Sequence, residues 1–148
     1  MRHPTVAGQF YAADEAALRG QIEKCFMDPL GPGKLPALAK GRRSILGGVV
    51  PHAGYMYSGA VAANLYGRLA EDGFPKTFII IGPNHTGRGS GLAIATDDFQ
   101  TPLGIVHVDR ELAKEVRRDI VDEDAEAHRY EHSIEVQLPF LQYFSNDF

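Results

Sequence analysis

Apolar positions recur along this chain with two periods, one helical and one of short unbroken runs. Over residues 14–27, Leu18, Ile22, Cys25 and Phe26 fall at i, i+4, i+7 and i+8, the stripe of an amphipathic helix, and Asp14 stands where its side chain can cap the first turn. The breakers Asp28-Pro29-Leu30-Gly31-Pro32-Gly33 end that helix and open a loop over 28–43, a surface excursion within one domain and not a boundary. Ser44-Ile45-Leu46-Gly47-Gly48-Val49-Val50 then reads as a buried strand stopped by Pro51, and Thr77-Phe78-Ile79-Ile80-Ile81 as a second. Between them Val61, Leu65 and Leu69, set among alanines, predict a helix closed by Gly73 and Pro75. Strand, helix and strand in that order predict a parallel pair with a right-handed crossover.

Further along, Gly91–Thr96 reads as a third strand, 97–104 as a turn-rich connection, and Ile105–Val108 as a short strand. Asp109 is placed to cap a helix running to about Arg118, and an acidic stretch follows from Asp122 to Glu126. From Glu131, Ile134, Leu138 and Leu141 have helical spacing, with Pro139 expected to kink or end the helix. The expected class is α/β with a largely parallel sheet. The last stretch, Val136 to Phe148, is among the most apolar of all. Either it docks into a core or the chain stops before its domain does.

Composition narrows the class. With 44% apolar and 23% charged residues in 148, this is a folded globular domain. Fifteen Lys and Arg against 19 Asp and Glu leave a net charge of −4, which argues against a nucleic-acid or anionic-membrane partner. No apolar run approaches the roughly 20 residues of a membrane span, and Met1-Arg2-His3-Pro4 has no signal-peptide core. The single cysteine, Cys25, requires no oxidising compartment, so the cytoplasm is the expected location. Its place on the helix stripe makes it a packed core thiol before a nucleophile.

The chemistry concentrates at two matching segments, Val49-Val50-Pro51-His52-Ala53-Gly54 and Ile80-Ile81-Gly82-Pro83-Asn84-His85-Thr86-Gly87. Each is an apolar run, a proline, a histidine and a glycine, and ligands in open α/β sheets bind just past strand carboxyl ends. If the two strands are neighbours about 5 Å apart, His52 and His85 can reach one metal ion. Paired imidazoles suit iron, zinc, copper or nickel and do not suit calcium or magnesium. His128 and His132 would share a face if that stretch were helical, and His132 with Glu135 forms another acid/base or ligand pair. Tyr55 and Tyr57 follow His52 closely enough to line a pocket. Gly87-Arg88-Gly89-Ser90-Gly91 leads into a strand, which disfavours a dinucleotide loop, and no Gly-x-Ser-x-Gly elbow is present.

Val6-Ala7-Gly8-Gln9-Phe10-Tyr11-Ala12-Ala13-Asp14, Pro51-His52-Ala53-Gly54-Tyr55-Met56-Tyr57-Ser58-Gly59, Gly82-Pro83-Asn84-His85, Thr101-Pro102-Leu103-Gly104 and Glu131-His132-Ser133-Ile134-Glu135-Val136-Gln137-Leu138-Pro139-Phe140 together resemble the Memo-like proteins, component B of the AmmeMemoRadiSam system. That family is in turn similar in fold to class III extradiol dioxygenases. The resemblance implies a three-layer α/β/α core around a mostly parallel sheet, with residues 1–148 as the N-terminal part of a single domain and hence an incomplete copy of the fold. It places His52 and His85 at two metal-ligand positions and His132 at a pocket position suited to acid/base work, with Asn84, Tyr55, Tyr57 and Glu135 as cleft residues. The third ligand position of the family lies in a half that these 148 residues do not contain.

The function expected from the resemblance is dioxygenase-related oxidoreductase chemistry on a small aromatic or other oxidisable substrate. Iron(II) is the expected metal, with copper or zinc as alternatives, and the chain alone is expected to be inactive. Two other readings use the same residues: a non-enzymatic scaffold that holds a peptide at the cleft, and a zinc-dependent hydrolase with His132 or Glu135 as base. A sheet left without its neighbours exposes apolar surface, which predicts a homo-oligomer.

Overall fold

The computed structural model describes residues 1–40, 43–117 and 119–148. The chain is a mixed helix and strand fold with a parallel strand pair, as the α/β class requires. Five α-helices form among the described residues: α1 (Glu15–Met27), α2 (Ala60–Asp72), α3 (Arg110–Val116), α4 (Ala125–Arg129) and α5 (Leu138–Phe144). Helix α1 starts where the sequence places it, with the Asp14 carboxylate accepting from the Ala17 amide at 2.9 Å. Asp109 caps α3 in the same way through the Leu112 amide. The expected continuation of α3 to Arg118 and the end of the 28–43 loop at Gly41 and Arg42 lie outside the described residues.

Helix α2 also forms where expected, but its buried face is different. Val61 is exposed and Leu65 and Leu69 are half-buried, while Ala62, Ala63, Tyr66, Gly67 and Ala70 face inward. Small side chains let α1 and the 28–36 loop come close. A Cβ on Gly67 would stand 3.3 Å from Pro32 and 3.8 Å from the Phe26 ring, and one on Gly31 would run into the Cys25 carbonyl. The bulkier Leu65 and Leu69 flank this contact instead of making it. A five-residue π-turn, Tyr55–Gly59, leads into α2, and Gly73, with φ +115°, closes it in the left-handed region that favours glycine.

Strand pairing departs most from expectation. Strands β1 (Ala93–Ile94) and β4 (Asp122–Glu123) pair in parallel, so the acidic stretch supplies a strand edge. Strands β2 (Phe99–Thr101) and β3 (Gly104–Val106) make an antiparallel hairpin, and the segment expected to be only turn is half strand. The two apolar runs at 44–50 and 77–81 carry no ladder among the described residues. Each is covered on one face only: Val50, Phe78 and Ile80 pack on the core, while Leu46 at 104%, Val49 at 99% and Ile81 at 92% relative exposure are bare.

The core lies between α1, α2 and α5 and is centred on Phe140, which stacks on Tyr66 at 4.9 Å and meets Tyr55 at 4.8 Å and Phe26 at 5.9 Å. The apolar C-terminal run docks. Val136 to Gln142 are buried, and Phe144 and Phe148 pack on Phe74, with Phe148 also against Phe78. Pro139 does not break the helix. It sits in the first turn of α5, after a 3-10 turn over Glu135–Gln137, where its missing N–H costs nothing. No helix among the described residues is long and apolar enough to cross a membrane.

Candidate metal centre

Two loops carry the histidines, and a single turn holds both. His85 sits on a tight turn built by Asn84, whose Oδ1 accepts from the Gly87 amide at 3.1 Å and the Thr86 hydroxyl at 2.9 Å, and whose Nδ2 donates to the Arg88 carbonyl. Gly87 closes that turn at φ +65°. The Ser133 hydroxyl donates to the Pro83 carbonyl at 2.9 Å, an approach possible only because Gly82 has no side chain. One helical turn on, Gln137 donates to the Pro51 carbonyl at 3.2 Å and accepts from the Tyr66 hydroxyl at 2.7 Å, fixing the loop before His52.

This arrangement brings three imidazoles together. His52 Nε2 and His85 Nε2 are 3.3 Å apart, with ring centroids at 5.0 Å. His132 stacks on His85 at 4.8 Å and 17°, lies 6.0 Å from His52, and receives the edge of Phe10 at 4.9 Å. Burial pushes the His132 imidazole below its usual value; Glu131 opposes this, and the neighbouring His85 and His52 add to it. Its neutral form is therefore favoured, as a proton acceptor needs.

Beneath the histidines lies a carboxylate that sequence reasoning missed. Glu131 is buried and accepts the His85 ring N–H at 3.0 Å, the His132 amide at 2.8 Å, the Ser133 amide at 2.9 Å and the His85 amide. Burial alone would raise its pKa, but these donors outweigh it and bring the carboxyl down to about 2. Glu131 stands inside the Glu-His-Ser motif, and only its spacing beside a histidine could have flagged it. His85, Glu131 and His132 each offer a ligand atom, all within 4.8 Å of one another, and this group could hold a metal ion.

The other candidates are placed apart from this cluster. Tyr55 is buried, with its hydroxyl donating to the Val136 carbonyl at 2.7 Å, so it belongs to the core and not to a cleft wall. Tyr57 is 80% exposed. Asn84 shapes the loop, as described. Glu135 is fully buried on the far side of the turn, bonded to Tyr11, to Thr5, to the Val6 amide and to Arg2, so it is not free to act as a base beside His132. His128 lies on α4, which ends at Arg129, so the spacing of His128 and His132 is not helical and the two do not share a face. Cys25 is buried and burial pushes its thiol up to about 11, as a core thiol and not a nucleophile.

Comparison with known proteins identifies the family. The family model for Memo-like protein matches residues 2–148. A MEMO1 family protein of Methanothermobacter thermautotrophicus is 54% identical over 151 residues, covering 100% of this chain and 54% of that protein. One from Methanopyrus kandleri is 55% identical over 145 residues, covering 96% of this chain and 51% of that protein. A third, from Sulfurisphaera tokodaii, is 52% identical over 149 residues. The chain thus spans about half the length of the curated relatives it matches. With the family model matched over residues 2–148 and relatives at 52–55% identity, the chain belongs to the Memo-like protein family.

Proposed function

We propose that this chain supplies two protein ligands of a transition-metal centre, His52 Nε2 and His85 Nε2, for dioxygenase-related oxidoreductase chemistry on a small aromatic or other oxidisable substrate. The observation that carries the reading is the 3.3 Å between the two Nε2 atoms. Two ligands each about 2.05 Å from a tetrahedral metal stand about 3.3 Å apart, so the pair fits the first shell of iron or zinc with little movement. Resemblance to the dioxygenase fold supports the three-layer α/β/α architecture and iron(II) as the metal. A metal there would supply Lewis acidity and O₂ chemistry; the chain's own part is to hold two imidazoles converging and to keep His132 neutral for proton transfer. With two protein ligands, the 148-residue chain binds metal weakly and turns over no substrate alone.

Anaerobic equilibrium dialysis against iron(II) or zinc(II), followed by metal analysis, tests this directly. The wild-type chain should retain at least tenfold more metal than a His52→Ala/His85→Ala double variant, and equal retention would sink the reading. Screening catechols with iron and O₂ against esters with zinc, on a full-length relative, separates ring oxidation from hydrolysis.

A further inference from the structure

We propose that Glu131 is a positioning residue that fixes the tautomer of His85 and so keeps its Nε2 bare and aimed at the metal position. This rests on the reading of His85 as a ligand. Backbone amides can only donate, and they reach both oxygens of Glu131: the His85 amide meets Oε2 and the His132 and Ser133 amides meet Oε1. The fourth contact, His85 Nδ1 at 3.0 Å, must then also be a donor. A neutral imidazole carries one ring proton, so with it on Nδ1 the Nε2 lone pair is free.

That assignment decides the neighbouring contact too. If His85 Nε2 is an acceptor, the 3.3 Å link to His52 Nε2 is a hydrogen bond donated by His52, and a metal ion entering between them takes the place of that single proton. The same carboxylate also fixes where the ring points. It binds the amide and the ring of His85 together, and it ties the 83–87 loop to the 131–133 turn. Glu131 is not itself well placed to reach that metal position, because each of its oxygens already accepts at least one N–H and the Nε2 it serves lies on the opposite edge of the ring. Histidine ligands in metal sites commonly carry such a carboxylate on the second nitrogen, and losing it typically costs 10–100-fold in affinity.

Nitrogen-15 NMR of the histidine rings in metal-free wild-type protein at pH 8 reads the tautomer. A protonated Nδ1 and an unprotonated Nε2 on His85 are expected; a predominant Nε2–H form would overturn the proposal whatever the metal does. In Glu131→Gln the carbonyl oxygen is a weaker, uncharged acceptor for His85 Nδ1 and the NH₂ opposes the His85 amide, so the ring is held less firmly and zinc(II) affinity should fall 10–100-fold. Wild-type tautomer together with wild-type zinc affinity in that variant would also overturn it. If Glu131→Gln does not fold, the wild-type spectrum decides. If wild-type protein binds no zinc, the ligand reading of His85 fails while the tautomer still tests the role of Glu131.

Discussion

Replacing Arg2 by alanine is expected to remove about 3–5 kcal/mol of folding stability at neutral pH, a large share of what a domain of this size possesses. Arg2 and Glu135 form an ion pair at 2.8 Å with side chains 6% and 0% exposed. The guanidinium also donates to the His128 and Glu131 carbonyls and to the Thr5 hydroxyl, so its loss removes these three hydrogen bonds and leaves a buried carboxylate with no countercharge. Burial pushes the Glu135 carboxyl up, but the Tyr11 hydroxyl, the Thr5 and Val6 amides and Arg2 outweigh it, and its pKa lies below the ordinary 4.5. The sign follows. A depressed carboxyl contributes stability above its unfolded pKa and loses it as pH falls below about 4.5 toward the folded value. Urea titrations of wild type and Arg2→Ala should therefore differ most at pH 7 and converge in acid. A difference under about 1 kcal/mol at pH 7 would contradict the weight assigned to this pair.

Phe140→Ala should cost a similar about 3–5 kcal/mol, for a different reason. The ring is 1% exposed and touches three aromatic side chains from α1, the π-turn and α2, so truncation opens a cavity that none of these elements can close alone. Thermal unfolding followed by circular dichroism should show a midpoint roughly 10 °C lower. Phe140→Leu, which keeps most of the volume, should cost distinctly less. Because Tyr55 and Tyr66 also hold the Val136 carbonyl and Gln137, the near-ultraviolet aromatic signal should weaken in the alanine variant before unfolding begins. An unchanged midpoint would show that the core can close over the missing ring.

Caps were readable in the sequence because they are local: Asp14 and Asp109 each need only an amide three residues on. The convergence of His52 and His85 was readable because a proline and then a histidine follow each of two apolar runs. The pairing of those runs was not, since a continuous apolar stretch says that both faces want cover and not which strand supplies it. Here one face rests on helices and the other is bare. Helix α2 was placed correctly, but which of its apolar positions face inward was not readable, because close approach selects the alanines over the larger Val61 and Leu65. The same limit misplaced Tyr55 and Glu135: their types suit a cleft, but which way a side chain leaves the backbone is set by partners such as the Val136 carbonyl and Arg2, both distant in sequence. Glu131 was overlooked because a lone glutamate beside a histidine is ordinary until its four donors are seen together.

Glu131 and Glu135, four positions apart on one turn, hold two segments that are distant in sequence. The first holds His85 and the second holds Thr5, Val6 and Tyr11, while Arg2 bonds to both the Glu131 carbonyl and the Glu135 carboxylate. Opening either side exposes the other, so the start of the chain and the histidine cluster form one cooperative unit. Amide hydrogen exchange at Thr5, Val6, His85, His132 and Ser133 should then proceed with a common opening free energy, and Arg2→Ala should speed exchange at His85, 83 residues away in sequence, as much as at Thr5.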